Sequence, residues 1–126
     1  MVRKIAISAG KVTVEAELND SPTASAIFAA LPIQAEACTW GLEVYFRIPV
    51  RCGAAEDARE EMKVGEIGYW PPGSAMCIFF GRTPASGRDG EPKAASPVNP
   101  IGRVTGDASA LRSVREDDPI VVARAT

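Results

Sequence analysis

Between Lys4 and Leu18 the apolar residues Ile5, Ile7, Val12, Val14, Ala16 and Leu18 are interleaved with polar or small ones, and the alternation breaks at Gly10-Lys11. A period of two puts one set of side chains on a single face of an extended chain, so the pattern predicts a β-hairpin. The rhythm then changes. Asn19-Asp20-Ser21-Pro22-Thr23 offers cap and first-turn residues, and Ala24 to Leu31 carries Ala, Ile, Phe and Leu at helical spacing until Pro32 stops the run. One short helix is expected there. Alternation resumes after it. Ile33 to Thr39 can form a strand, and Leu42 to Val50 a better one, because Val44, Phe46 and Ile48 alternate with Glu43, Tyr45 and Arg47. Pro49 marks an edge or the end of that strand.

Arg51 to Lys63 is rich in charge and reads as a solvated surface excursion. Val64 to Trp70 is a strand that enters a Pro71-Pro72-Gly73 turn, and Ala75 to Phe80 is the apolar strand that leaves it. Proline, glycine and charge recur from Arg82 to Ser96, which predicts a long loop, and long loops in compact domains are commonly functional or mobile. Val98 to Val104 resumes strand character, Gly106-Asp107 turns, Ala108 to Val114 suits a helical turn, and Ile120 to Ala123 makes a last strand after Pro119. Seven or eight short strands with two brief helical pieces and no βαβ alternation predict a mainly β fold, a closed barrel or a sandwich. With no internal repeat, low-complexity tract or linker, residues 1–126 read as a single domain.

Composition narrows the function. The 126 residues carry a net charge of −2 and no basic cluster, so nucleic acid is not an expected partner. No apolar run approaches the roughly 20 residues that cross a bilayer, which speaks against a membrane span. The N-terminal segment alternates instead of running apolar, so it reads as a first strand and not a signal peptide, with a cytoplasmic location as the default. Cys38, Cys52 and Cys77 are odd in number and lack zinc-site spacing, so they read as reduced packing thiols. The chain has no histidine, which excludes histidine-dependent hydrolase and zinc chemistry. No phosphate loop, nucleophile elbow or dinucleotide fingerprint is present, so no cofactor is expected.

The chemistry that remains is one of rings and turns. Tyr69, Trp70, Phe79 and Phe80 are half of the aromatic residues and lie beside Pro71, Pro72 and Pro84. Rigid turns that hold flat rings are a means of building a binding surface. Trp40 and Trp70 are candidate pocket walls, with Tyr45 and Tyr69 offering hydroxyls at its edge. Phe79 and Phe80 are consecutive, so one faces the core and its neighbour is the pocket candidate. Arg82 and Thr83 could grip a carboxylate or carbonyl, and Asn99 can both donate to and accept from an amide. Glu43 is available as a carboxylate, either paired with Arg47 on its own strand face or opposite Glu66 as an acid pair.

Four segments carry a resemblance: Thr39-Trp-Gly-Leu-Glu-Val-Tyr-Phe-Arg-Ile-Pro-Val50, Gly65-Glu-Ile-Gly-Tyr-Trp-Pro-Pro-Gly73, Ile78-Phe-Phe-Gly-Arg-Thr-Pro-Ala-Ser86, and Ala94 through Asp107. Together they resemble a prokaryotic family of small cyclophilin-like β-barrel proteins of unassigned function. The resemblance implies a closed eight-stranded β-barrel with one or two short capping helices. A fainter likeness runs to the peptidyl-prolyl isomerases, through Tyr45-Phe-Arg-Ile48, Phe79-Phe80 and Ile101-Gly-Arg-Val104. It implies Arg47 as the catalytic cation, but the glutamine, tryptophan and histidine of that site have no counterpart here. The expected function is therefore a binding module for a small organic ligand or an extended proline-containing peptide, without isomerase activity. The alternatives are a prolyl isomerase using Arg47 and the Phe79/Phe80 pair, and an enzyme or enzyme subunit acting on a small acid or amide held by Arg82, Thr83, Tyr69 and Asn99. A strand edge near Pro49 or the last strand could support a homodimer.

Overall fold

A computed structural model describes residues 3–125, and the lead-in of Met1 and Val2 to the first strand lies outside them. The hairpin is β1 (Arg3–Ala9) and β2 (Val12–Leu18), paired from Arg3↔Leu18 to Ala9↔Val12. Helix α1 (Pro22–Ala30) follows, with Ser21 Oγ accepting the Ala24 N–H at 3.2 Å and Pro22 in the first turn, where its missing donor is harmless. Then come β3 (Ile33–Glu36), β4 (Cys38–Thr39), β5 (Glu43–Arg47), β6 (Arg59–Glu61), β7 (Glu66–Trp70), β8 (Ala75–Phe79), β9 (Lys93–Val104) and β10 (Pro119–Arg124). Pro71–Gly73 and Ala108–Ser113 form 3-10 turns.

The strands make one ten-stranded sheet in the order β3-β10-β1-β2-β9-β7-β8-β5-β4, with β6 added alongside β9. The fold is mainly β as expected, but closure into an eight-stranded barrel is not borne out: ten strands pair, and the end strands β3 and β4 share no register. The two are successive pieces of one segment, separated by the single residue Ala37. The Ala37 N–H donates to Asp118 O at 2.9 Å and its carbonyl accepts from the Asp117 N–H at 2.8 Å, carrying the pairing with the β10 segment past Pro119 before the chain takes up β5 as its partner at Cys38.

Two further expectations need correction. The loop expected through Ser96 is strand from Lys93 onward, in spite of Pro97 and Pro100. Pro100 stands opposite Gly68 at a register shift between β7 and β9, an irregularity where a residue without an N–H is tolerated. The charged excursion is not wholly solvated either, since it contains β6 and delivers the buried Met62.

Every residue of β8 is buried, which explains why its sequence is a continuous apolar run. Met76, Ile78 and Phe80 enter the main core with Ile5, Phe46 and Ile120. Ala75, Cys77 and Phe79 face the other way, into a smaller cluster closed by Met62, Ala94 and Val98. Phe79 and Phe80 thus take opposite faces as alternation demands, but both are buried, at 0% and 6% exposure, and neither is among the residues lining the aromatic cavity around Trp40 and Trp70. The three thiols are unpaired. Among the described residues, no helix is long and apolar enough to cross a membrane.

Candidate functional site

On the outer side of β8, above the smaller cluster, lies a cavity of about 230 Å³. Trp40, Tyr45 and Trp70 supply its aromatic lining, Cys77, Ala94, Ala95 and Val98 its small apolar lining, and Glu43 its one carboxyl. Strand parity explains the grouping. Glu43 and Tyr45 share a face of β5, and their partners across the ladder are Phe79 and Cys77 of β8. Cys77 is in turn opposite Gly68, two residues before Trp70 on the same face of β7.

The turns set the two indoles. The Trp70 Nε1–H donates to Ser96 Oγ at 2.6 Å, tying the ring to β9. A Cβ at Gly73 would stand 2.8 Å from Trp70 Cε3 and Cζ3, so the Pro71-Pro72-Gly73 turn lies against that ring. Trp40 leads a tight turn closed by its N–H to Glu43 O at 3.0 Å, with Gly41 at φ +61°. Behind that turn, the Leu42 N–H reaches Arg82 O at 2.8 Å, and a Cβ at Gly41 would lie 2.9 Å from Arg82 O and Thr83 Cα. The 81–84 segment therefore braces Trp40 from outside the cavity.

Glu43 is 5% exposed, takes part in no ion pair among the described residues, and its Oε1 has no hydrogen-bond partner. Burial raises its pKa from 4.5 to about 7, with the neighbouring Cys77 thiol pulling modestly the other way. Burial also pushes the Cys77 thiol far upward and the Tyr45 phenol upward, so at neutral pH both stay protonated. Glu43 is the only group lining the cavity that changes charge near pH 7.

The other expected site residues lie elsewhere. Tyr69 is wholly buried on the main-core side, donating its hydroxyl to Val50 O at 2.6 Å and accepting the Cys52 N–H at 3.1 Å. Adjacent strand residues face opposite sides, so Tyr69 and Trp70 could not share one pocket. Thr83 is buried and donates to Lys93 O, while the exposed Arg82 donates to Gly87 O at 3.1 Å. Asn99 spends its amide on Thr23 Oγ1, Gly53 O and the Ala55 N–H, leaving no free donor or acceptor role in the cavity. Arg47 is exposed and lies in a separate depression with Pro49, Pro71 and Pro72. Four residues along β5 from Glu43, it is about 13 Å away, so the two do not pair. Glu66 is taken by Arg59 at 2.7 Å and by the Lys63 N–H at 2.7 Å, which rules out an acid pair with Glu43. Cys77, Ala94, Ala95 and Val98 were not anticipated as lining, being small apolar residues with no chemical signature.

Gly68 makes room for this arrangement. A Cβ there would lie 2.6 Å from Val98 Cγ2 and 2.9 Å from Val98 Cβ. Gly68→Ala is expected to destabilise the protein by about 2 kcal/mol through overpacking, and Val98→Ala in the same chain should recover part of that loss. A double-mutant denaturation cycle checks this; strictly additive single effects would mean that the two positions do not meet.

A family model described as Cyclophilin-like matches residues 3–123. The solution structure of the hypothetical protein AF2241 from Archaeoglobus fulgidus is similar, at 36% identity and a TM-score of 0.83, covering 98% of this chain and 95% of that one. The structure of McbB in complex with tryptophan is similar in fold, at 17% identity and a TM-score of 0.71; the match covers 96% of this chain and 44% of McbB. No curated protein matches.

Proposed function

The chain belongs to the cyclophilin-like family, and on that premise we propose that it is a binding module for a small organic molecule, held in the cavity between Trp40, Tyr45 and Trp70. The observation that carries this reading is an aromatic-lined cavity containing one buried carboxyl whose Oε1 is unpaired. Protein interiors leave few such groups unsatisfied without a role. Volume decides between ligand classes. A cavity of about 150 Å³ accommodates benzene, so about 230 Å³ suits one or two rings with a short substituent. It falls below the range of drug-sized sites, and an extended peptide could insert only a side chain. Prolyl isomerisation is disfavoured because the cation and the paired phenylalanines assigned to it do not converge: Arg47 is outside the cavity and both rings are buried.

The two tryptophans of the chain both line this cavity, so intrinsic fluorescence reads its occupancy directly. Titration with indole or propylbenzene is expected to shift or quench the emission saturably, and a short X-Pro peptide to leave it unchanged. Ala95→Phe, at an exposed lining position, is expected to weaken ring binding at least tenfold. No saturable response to any ring compound would overturn the reading, and a response to the peptide alone would replace it with the peptide-binding one.

A further inference from the structure

We infer that the ligand of this cavity is an organic amine, bound as its ammonium ion with an N–H donated to the Glu43 carboxylate and its apolar body against the rings of Trp40, Tyr45 and Trp70. The inference rests on the pocket reading above and adds the chemical class.

Three observations converge on it. First, the Glu43 carboxyl lines the cavity, makes no ion pair among the described residues and has an oxygen without a donor, so a ligand N–H would give the carboxylate the partner it lacks. Second, among the described residues no cation pairs with the carboxylate. Cys77 on β8 and Tyr45 on β5 face it as neutral groups, with Cys38 of β4 beyond Tyr45. From β7 the one ionisable residue on that face, Glu66, is held by Arg59, and from β9 the lining residues Ala94, Ala95 and Val98 carry no charge, while Lys93 pairs with Glu60 at 3.8 Å. Third, aromatic faces attract a cation, and Trp does so best. The Trp70 N–H is already committed to Ser96, so that ring offers its face and not a donor. An anionic ligand would meet an uncompensated carboxylate. A neutral apolar ligand would leave the carboxylate as unpaired as before.

The test compares phenethylamine with propylbenzene and phenylpropionate, of similar size and bearing an ammonium, no charge and a carboxylate, by tryptophan fluorescence from pH 5 to pH 8. Because Glu43 must ionise to receive the ammonium and does so at about pH 7 in the free protein, phenethylamine affinity should rise about tenfold per pH unit below 7 and level off above it. Propylbenzene affinity should be flat. Glu43→Gln should abolish the slope and weaken phenethylamine at least tenfold at pH 8, while propylbenzene binds the variant undiminished. In carbon NMR, the Glu43 carboxyl should titrate at lower pH when phenethylamine is bound. Propylbenzene binding as tightly as phenethylamine at pH 8, or a phenethylamine affinity indifferent to Glu43→Gln, would overturn the amine assignment and leave the pocket reading standing. Failure of all three compounds to bind would overturn both.

Discussion

Glu43→Gln is expected to make the unliganded protein about 3 kcal/mol more stable than the wild type at pH 8, and to change its stability little at pH 4. In the folded chain the Glu43 carboxyl holds its proton to about pH 7, against 4.5 ordinarily. Between those values the native state binds more protons than the unfolded state, so stability falls as pH rises through the window and is constant above it. A difference of that size converts to about 3 kcal/mol at 1.36 kcal/mol per pH unit. Little solvent screening reduces it, because Glu43 is 5% exposed and makes no ion pair among the described residues. Glu66 contributes in the opposite sense, its carboxyl held low by Arg59 and the Lys63 N–H against the opposing effect of its own burial, but it is present in both proteins and cancels. Urea denaturation of the pair at pH 4 and pH 8 measures the difference. An identical offset at both pH values, or a variant weaker than the wild type at pH 8, would show that Glu43 ionises without penalty and would remove the electrostatic basis of the site.

That penalty bears on function. A carboxyl kept in an apolar cavity without a partner lowers the stability of the empty protein at neutral pH, and a side chain in that condition is a candidate for binding work. An apolar residue of similar volume would pack there at no such cost.

Alternation at Val44, Phe46 and Ile48 made β5 legible, and the continuous apolar run of Ala75 to Phe80 marked a strand, although its burial on both faces, with neither Phe79 nor Phe80 left for a pocket, emerged only in the structure. What escaped were features decided by distant partners. β9 hides behind Pro97 and Pro100: the missing donor of Pro100 falls at an irregular register against β7, and that of Pro97 in the irregular stretch of the β6 pairing. The switch at Ala37 depends on Asp117 and Asp118, some eighty residues on. The same holds for the site. Glu43, Tyr45, Trp40 and Trp70 were recognisable as polar and aromatic candidates, but Glu43 alternates with apolar residues as an exposed carboxylate would. Its burial follows from residues 94–98 folding over that face, which local pattern does not encode. Tyr69 was a different kind of error: parity with Trp70 already placed it on the opposite face.

Gly102→Ala is expected to cost about 3 kcal/mol or more, while Gly106→Ala, four residues on, stays within about 0.5 kcal/mol of the wild type or gains slightly from a stiffer unfolded chain. Gly102 stands between Leu18 of β2 and Ile67 of β7. A Cβ there would be driven into the carbonyl oxygen of Glu17 and against Leu18 Cα, and neither backbone atom can rotate aside. At Gly106 no heavy atom lies within 4 Å of the added carbon. The position matters because β2 and β9 are in register over Ala16↔Val104, Glu17↔Arg103 and Leu18↔Gly102, extended at the ends by the Thr105 N–H to Glu15 O at 2.9 Å and the Asn19 N–H to Ile101 O at 2.8 Å. That short seam joins the half of the sheet built on the β1–β2 hairpin to the half that carries the cavity, β9-β7-β8-β5-β4. Parting it should loosen β9, and with it the Val98, Ala94 and Ser96 contacts that roof the site and hold Trp70. Chemical denaturation of the two variants measures the stability difference, and tryptophan emission of Gly102→Ala before the transition should already be red-shifted. Equal stabilities would mean that β2 and β9 tolerate separation at this pair, and that the cavity half of the sheet stands without the hairpin.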